Sequence, residues 1–327
     1  MVLICRLLLI GHLKVMEMYD IIIIGAGPAG MTAAIYGRRA NKKVLVLEAL
    51  TYGGQIITAS VVDNYPMVEH TTGVDWATKT YEQAKNLGTE FVFEKAIDIE
   101  DHNTYKVVKT PKNSYEGKTV IIATGAENRK LGVENEDALV GRGISYCATC
   151  DGMFYRGKDV AVIGGGNTAL EAVLYLSTIV NKVYLIHRRD DFKCDETLLT
   201  DAKKRSNVEI ILNTSVSKLN ANEVLESIDV TDNDKNTWNI PVSAVFVSVG
   251  RVPENQNFAK IINLNEAGYV EAGEDCHTNV PGIFVAGDNR VKTVRQLVTA
   301  ASDGAIATSE AIKYINKEKE QKVVIKF

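Results

Sequence analysis

The sequence has no apolar run long enough to cross a membrane. Its early apolar stretch, Leu7–Ile10, is broken by Arg6 before it and by His12 and Lys14 after it. A spanning helix needs about 20 apolar residues. A secretory signal needs a longer apolar segment and a small-residue cleavage site. Residues 1–17 are therefore read as an N-terminal extension, with the functional chain beginning near Met16 or Met18. A large excess of one charge sign is missing too. A net charge of −4 over 327 residues gives no footprint for nucleic acid or an acidic membrane. Cysteine is scarce and unevenly placed, at Cys5, Cys147, Cys150, Cys194 and Cys276. That excludes a secreted disulfide framework and points to a reducing, cytoplasmic setting, where a close cysteine pair is catalytic or metal-binding.

What is present is an ordinary globular composition, 46% hydrophobic and 24% charged, in a chain too long for one average domain. The isoleucine-rich run Tyr19–Ile24 reads as a fully buried parallel strand. It is followed by "GAGPAG" (Gly25–Gly30), a helical stretch Met31–Ala40 and a second strand Lys43–Glu48. The pattern returns: strand Asp159–Ile163, turn "GGGNTA" (Gly164–Ala169), helix Leu170–Thr178, strand Lys182–His187. Two such βαβ units imply two bound nucleotides. Lys118–Gly125 is a further strand ending in glycine, and Ala244–Gly250 looks like its partner. Gly282–Asp288 is a late strand with an acid at its tip, aimed at a cofactor. A domain built from both chain ends, with the second unit inserted, accounts for this order. The tail after Tyr314 is mixed in charge and reads as peripheral.

The two units differ where a nucleotide's ribose would lie. In the first, Gly25, Gly27 and Gly30 form GxGxxG. These glycines serve the tight turn, the approach of a pyrophosphate and close helix packing. The helix N-terminus adds free N–H groups and partial positive charge. Glu48 ends the next strand and suits a ribose 2′-hydroxyl. In the second, the turn is Gly164, Gly166, Ala169, and the next strand runs into "HRRDDFK". Arg188, Arg189 and Lys193 replace the acid there. Arginines bind a 2′-phosphate in a bidentate fork, where a carboxylate would repel it. The second unit is thus expected to hold NADPH, and the first an adenosine without that phosphate. A solvated charge run is the competing reading of "HRRDD".

Cys147 and Cys150 form a CxxC pair followed directly by Asp151. Zinc would need a second pair or nearby histidines, and neither is present at ligand spacing. A redox dithiol fits better, because the motif depresses one thiol's pKa. Asp151 then reads either as the acid/base of the dithiol cycle or as a helix-cap or turn residue. Nicotinamide donates a hydride, whereas flavins accept hydride and also exchange electrons with thiols. The first nucleotide is therefore read as FAD, and the electron order as NADPH, FAD, Cys147–Cys150, then an outside disulfide.

From about Met18 to Tyr314 the chain resembles the low-molecular-weight, bacterial-type thioredoxin reductases of the FAD/NADPH-dependent pyridine nucleotide-disulfide oxidoreductase family. The resemblance is carried by "GAGPAG", "GGQI", "DNYP", "ATGA", "CATCDG", "GGGNTA", "HRR", "GIFVAGD" and "RQLVTAASDGAIAT". It implies an α/β protein with two Rossmann-like dinucleotide-binding domains, the NADPH domain inserted into the FAD domain. The expected division is an extension (1–17), a first FAD part (18–126), an NADPH domain with the dithiol (127–247) and a second FAD part (248–327). By the same resemblance, Cys150 faces the flavin, Cys147 attacks the substrate disulfide and Asp151 serves as acid/base. FAD would contact Gly25, Gly27, Gly30, Glu48, Gln55, Asn64, Asp288 and Gln296. NADPH would contact Gly166, Asn167, Thr168, Arg188, Arg189 and Lys193. No metal is implied. Lys193 departs from the arginine usual at that place, which keeps the charge, loses the fork and weakens the expected NADPH preference.

The activity implied is thioredoxin-disulfide reduction by a cytoplasmic homodimer, without nucleic-acid or membrane partners. Two alternatives stand beside it: reduction of another disulfide protein, glutaredoxin-like or peroxidase-linked, and a redox sensor that does not turn over. One demand on the architecture follows. The dithiol and the NADPH turn lie in one domain and both need the flavin held by the other. Rotation of the inserted domain about connections near Ala126 and Val247 would let them take turns.

Overall fold

The computed structural model describes residues 18–59 and 61–324. The reading of residues 1–17 as an extension lies outside the described residues. The chain opens with strand β1 (Tyr19–Ile24), helix α1 (Pro28–Arg39) and strand β2 (Val44–Leu47). Helix α2 (Gly73–Asn86) leads to β3 (Glu90–Val92). A meander then follows: β4 (Asp98–Asp101), β5 (Lys106–Lys109) and β6 (Ser114–Ile122). These strands form one sheet in the order β3-β2-β1-β6-β5-β4. The isoleucine run explains why β1 is central. Ile21 and Ile23 point into one apolar cluster, while Ile22 and Ile24 point into the cluster on the opposite face. A strand buried on both faces needs this unbroken hydrophobicity.

The chain leaves this sheet through β7 (Ala126–Asn128) and returns through β16 (Arg251–Pro253), and the two pair antiparallel as a two-stranded ribbon. Between them lies a second sheet. It contains β8 (Ile144–Ser145), β9 (Asp159–Ile163), β10 (Lys182–Ile186), β11 (Val208–Ile211) and β15 (Ala244–Val247), in the order β11-β10-β9-β15-β8. The alternation repeats here: Ala161 and Ile163 face one cluster, Val160 and Val162 the other. The short helix α3 (Ala148–Asp151) carries the dithiol, α4 (Asn167–Leu176) follows the second glycine turn, and α5 (Glu196–Lys203) precedes β11. An antiparallel sheet of β12 (Thr214–Ala221), β13 (Leu225–Asp232) and β14 (Thr237–Pro241) covers one face.

Strand β17 (Ile283–Val285) rejoins the first sheet beside the end of β6. Helix α6 (Leu297–Val324) then packs on α1. The two helices approach so closely that a Cβ on Gly304 would stand 2.2 Å from the carbonyl oxygen of Ala29. The protein is thus two Rossmann-like α/β units, the second inserted into the first. Strands Ser114–Ile122 and Ala244–Val247 do not pair with one another. Each lies beside the first strand of its own unit, β6 on β1 and β15 on β9. Among the described residues, no helix is long and apolar enough to cross a membrane.

Candidate active site between the two dinucleotide units

The first glycine turn is shaped by steric need. Gly25 has φ +107°, and a Cβ there would lie 2.3 Å from the Ala123 carbonyl oxygen. A Cβ on Gly30 would strike the Gly25 carbonyl oxygen at 1.9 Å. A Cβ on Gly27 would meet nothing within 4 Å, so the backbone at the start of α1 is open to a ligand. Pro28 sits at the first turn of α1, where a missing N–H costs no helix bond. Glu48 follows β2 and accepts from the N–H groups of Ala26 at 2.7 Å and Leu50 at 3.0 Å. Asp288 follows β17. Its Oδ2 accepts from the Arg251 guanidinium at 3.1 Å, while its buried Oδ1 has no hydrogen-bond partner in the protein. Burial raises the Asp288 pKa, an effect the charge of Arg251 opposes. A buried oxygen left unpaired is costly unless a ligand satisfies it. The open Gly27 backbone, the orphaned Asp288 oxygen and Glu48 at the strand end fit a dinucleotide in this unit.

The second turn carries the same geometry. A Cβ on Gly164 would lie 2.4 Å from the Ser248 carbonyl oxygen and 2.8 Å from the Ala169 side chain. Gly166 caps α4 and is free but for Lys193 O at 3.7 Å. The turn borders a cavity of about 950 Å³ that also touches Thr168, Arg188, Arg189 and Lys193. Those three cations are exposed and form no salt bridge to any described residue. Three such cations on one cavity wall suit an anionic ligand. Asn167 is placed differently from its neighbours. Its side chain pairs with Asp195 instead of entering the cavity.

One cysteine of the dithiol, Cys147, lines the same cavity. Cys147 and Cys150 are disulfide-bonded, with Cα atoms 5.3 Å apart. Cys147 caps α3, its Sγ accepting from the Cys150 N–H at 3.2 Å. The two cysteines have different neighbours. Cys147 lines the cavity, whereas Cys150 Sγ lies 4.0 Å from Asn64 Nδ2 in the first unit. Asn64 in turn donates to Gln296 at 3.2 Å, and Gln296 donates to Thr149 at 3.3 Å. Asn64, Gln296 and the dithiol helix are therefore brought together across the two units. Gln55 stands apart from them, receiving a long contact from Asn128 at 3.5 Å.

Asp151 makes no capping bond. Burial pushes its carboxyl pKa up, and a hydrogen bond from Ser145, at 2.6 Å, opposes that only in part. Ser145 Oγ also accepts from the Cys147 N–H at 3.1 Å, which ties Asp151 to the backbone of the outer cysteine. Ser145, Thr149, Arg251 and Asp195 escape sequence reasoning, because each acts through a partner distant in the chain or in a turn. Ser145 and Thr149 alone lie within a noted motif, "SYCATCD". Cys194 is half-buried and Cys276 buried, its thiol pushed up to about 12 by burial; neither joins the site.

A family described as pyridine nucleotide-disulphide oxidoreductase matches residues 19–305. A thioredoxin reductase of Listeria innocua is 40% identical over 306 residues, which cover 93% of this chain and 96% of the relative. The crystal structure of thioredoxin reductase from Streptococcus pyogenes superposes with a TM-score of 0.89 at 37% identity, covering 92% of this chain and 99% of that one. The Lactococcus lactis thioredoxin reductase, described as an FR conformation, is 36% identical over 91% of this chain and 99% of that one. It reaches a TM-score of only 0.63.

Proposed function

We propose a function from one premise: the chain belongs to the pyridine nucleotide-disulphide oxidoreductase family. It is a thioredoxin-disulfide reductase that uses NADPH and FAD. The observation that carries this reading is the different placing of the two cysteines, Cys150 against Asn64 of the first unit and Cys147 on the lining of the cavity. FAD, when bound, supplies a carrier that takes a hydride from nicotinamide and delivers an electron pair to a disulfide. Gly25, Gly27, Gly30, Glu48, Gln55, Asn64, Asp288 and Gln296 would hold it, the unpaired Asp288 Oδ1 accepting a hydrogen bond from the ligand. Gly166, Thr168, Arg188, Arg189 and Lys193 hold NADPH, and Asn167 does so through the backbone at the start of α4.

Once reduced, the dithiol acts by exchange. The Cys147 thiolate attacks one sulfur of the thioredoxin disulfide, forming a mixed disulfide and releasing a thiolate. Cys150 then attacks Cys147, which frees the second thioredoxin sulfur and restores the Cys147–Cys150 bond. The two thiols of reduced thioredoxin carry away the electron pair and two protons. Asp151, its pKa raised by burial, stands beside this exchange as the group that gives and takes its proton.

The domain boundaries proposed are 18–126 and 248–327 for the FAD domain and 127–247 for the NADPH domain. The ribbon of β7 and β16 supports a crossing there, and its two strands suit a hinge. Near-equal identity to two relatives with TM-scores of 0.89 and 0.63 fits a body that rotates about such a connection. A cytoplasmic homodimer completes the proposal, two-fold pairs being the commonest soluble assembly. The test is an absorbance spectrum of the purified protein, then NADPH-driven reduction of thioredoxin, glutaredoxin-like and peroxidase-linked proteins in parallel. A flavin spectrum with thioredoxin reduced fastest is expected. Faster reduction of another partner would transfer the activity to it, and no catalytic turnover would leave a sensor.

A further inference from the structure

The basic loop that leaves β10 is held in a closed form by contacts its own sequence does not advertise. It runs from His187 to Asp195, between β10 and α5. At its start the His187 ring stacks on Phe192, with centroids 5.1 Å apart and planes at 22°. Behind the ring is Gly165, where a Cβ would come within 2.2 Å of the imidazole. In its later half the Lys193 N–H donates to the Gly165 carbonyl at 2.8 Å. The loop therefore lies folded against the glycine turn, and its end must be fixed for the three cations to line one cavity together.

Asp195 supplies that fixing. It is the N-cap residue of α5, a place where aspartate ordinarily accepts a hydrogen bond from its own helix. Here it makes no such bond. Its Oδ2 accepts from Asn167 Nδ2 at 3.0 Å, and its backbone N–H donates to Asn167 Oδ1 at 2.8 Å. Asn167 is the first residue of α4, directly after Gly166. One reciprocal pair thus joins the end of the basic loop to the helix start at the glycine turn. A local cap has been given up for a contact between the two halves of the binding wall.

We propose that Asp195 is a positioning residue that sets the preference for a 2′-phosphorylated nucleotide, by clipping the loop of Arg188, Arg189 and Lys193 onto Asn167. The inference rests on the reading of this unit as the NADPH site. It has a sign that simple electrostatics would reverse. A carboxylate near a phosphate repels it, so charge alone predicts that removing Asp195 tightens binding. The clip predicts that removal loosens it, and that an uncharged side chain with an acceptor oxygen restores it.

The experiment is calorimetric titration of the FAD-loaded enzyme with adenosine 2′,5′-bisphosphate and with 5′-AMP, which lacks the 2′-phosphate. Asp195→Ala is expected to weaken the bisphosphate about ten-fold, the scale of one lost charged hydrogen bond, and to leave 5′-AMP within about two-fold. Asp195→Asn is expected to hold the bisphosphate within about three-fold of the parent. In turnover, the alanine variant raises the KM for NADPH with kcat unchanged. Unchanged or tighter bisphosphate binding in Asp195→Ala overturns the clip, and so does an equal loss for both ligands. The double variant Arg188→Ala, Arg189→Ala separates the two levels. If it loses bisphosphate affinity while Asp195→Ala does not, only the clip fails. If it loses none, the NADPH reading fails and the clip with it.

Discussion

At the end of β2, Glu48 folds its carboxylate back onto the first glycine turn and accepts from the Ala26 N–H. At the equivalent end of β10, His187 packs against the second turn and leaves Arg188 and Arg189 exposed beside a cavity. The turns themselves are interchangeable in form. Each has a first glycine pressed on a neighbouring carbonyl and a later one open at a helix start. The difference lies in what the following strand delivers. One unit offers an acceptor held by backbone N–H groups, the other a set of uncommitted cations. On the proposed function, a shared scaffold separates two nucleotides by one strand end each. The second unit alone adds a dithiol, so it both takes from the flavin and gives to a partner.

The sharpest way to break this division of labour is to remove a thiol. Cys147→Ser and Cys150→Ser should each abolish thioredoxin reduction, but differ in spectrum. The first leaves a Cys150 thiolate beside the oxidised flavin and should show a long-wavelength charge-transfer absorption; the second should lack it. Finding the band in the Cys150 variant would exchange the two roles.

Immobilising one unit on the other comes next. A cross-link that holds Thr149 beside Gln296, as they lie at 3.3 Å here, should stop NADPH-driven flavin reduction. A small chemical dithiol should still reduce the flavin. Normal turnover by the linked enzyme would remove the rotation.

Asp151→Asn should lower turnover roughly 100-fold, a usual contribution of a positioned acid/base. Burial raises the Asp151 pKa, so the folded protein binds more protons than the unfolded chain between the ordinary carboxylate value and the raised one. Stability therefore falls as pH rises through that window, and activity that needs the protonated acid falls in the same direction. The asparagine variant should lose both dependences. An unchanged pH–rate profile would leave Asp151 a structural residue.

Arg188→Ala with Arg189→Ala probes the strand-end contrast directly. Each lost charged hydrogen bond costs about 1.5–3 kcal/mol, so the KM for NADPH should rise at least about ten-fold. NADH use should be spared. Equal efficiency with both nucleotides in the parent enzyme would erase the contrast. The smallest effect is expected at the N-terminus: a chain starting at Met16 should keep its flavin and its rate, and flavin loss would show otherwise.

Much of the fold was legible in the sequence because it depends on local pattern. Short apolar runs such as Tyr19–Ile24 and Asp159–Ile163, each followed by closely spaced glycines and a helical stretch, read as strands covered on both faces and leading into tight turns. The helix starts lie earlier than the hydrophobic pattern predicts. Pro28 and Asn167 already belong to α1 and α4, because the free N–H groups of a helix start carry no hydrophobic period. The dithiol stood out because its two cysteines and Asp151 are neighbours in sequence.

Tertiary structure decided everything that joins distant residues. It turned Cys150 toward Asn64 and Cys147 toward the cavity, a choice invisible in a symmetrical CxxC. It placed the crossing of the two units in a paired ribbon, Ala126–Asn128 with Arg251–Pro253. It also drew Asp195 away from its own helix to Asn167. Local propensity is settled within a few residues, whereas burial and hydrogen-bond pairing are settled by whatever the folded chain brings alongside.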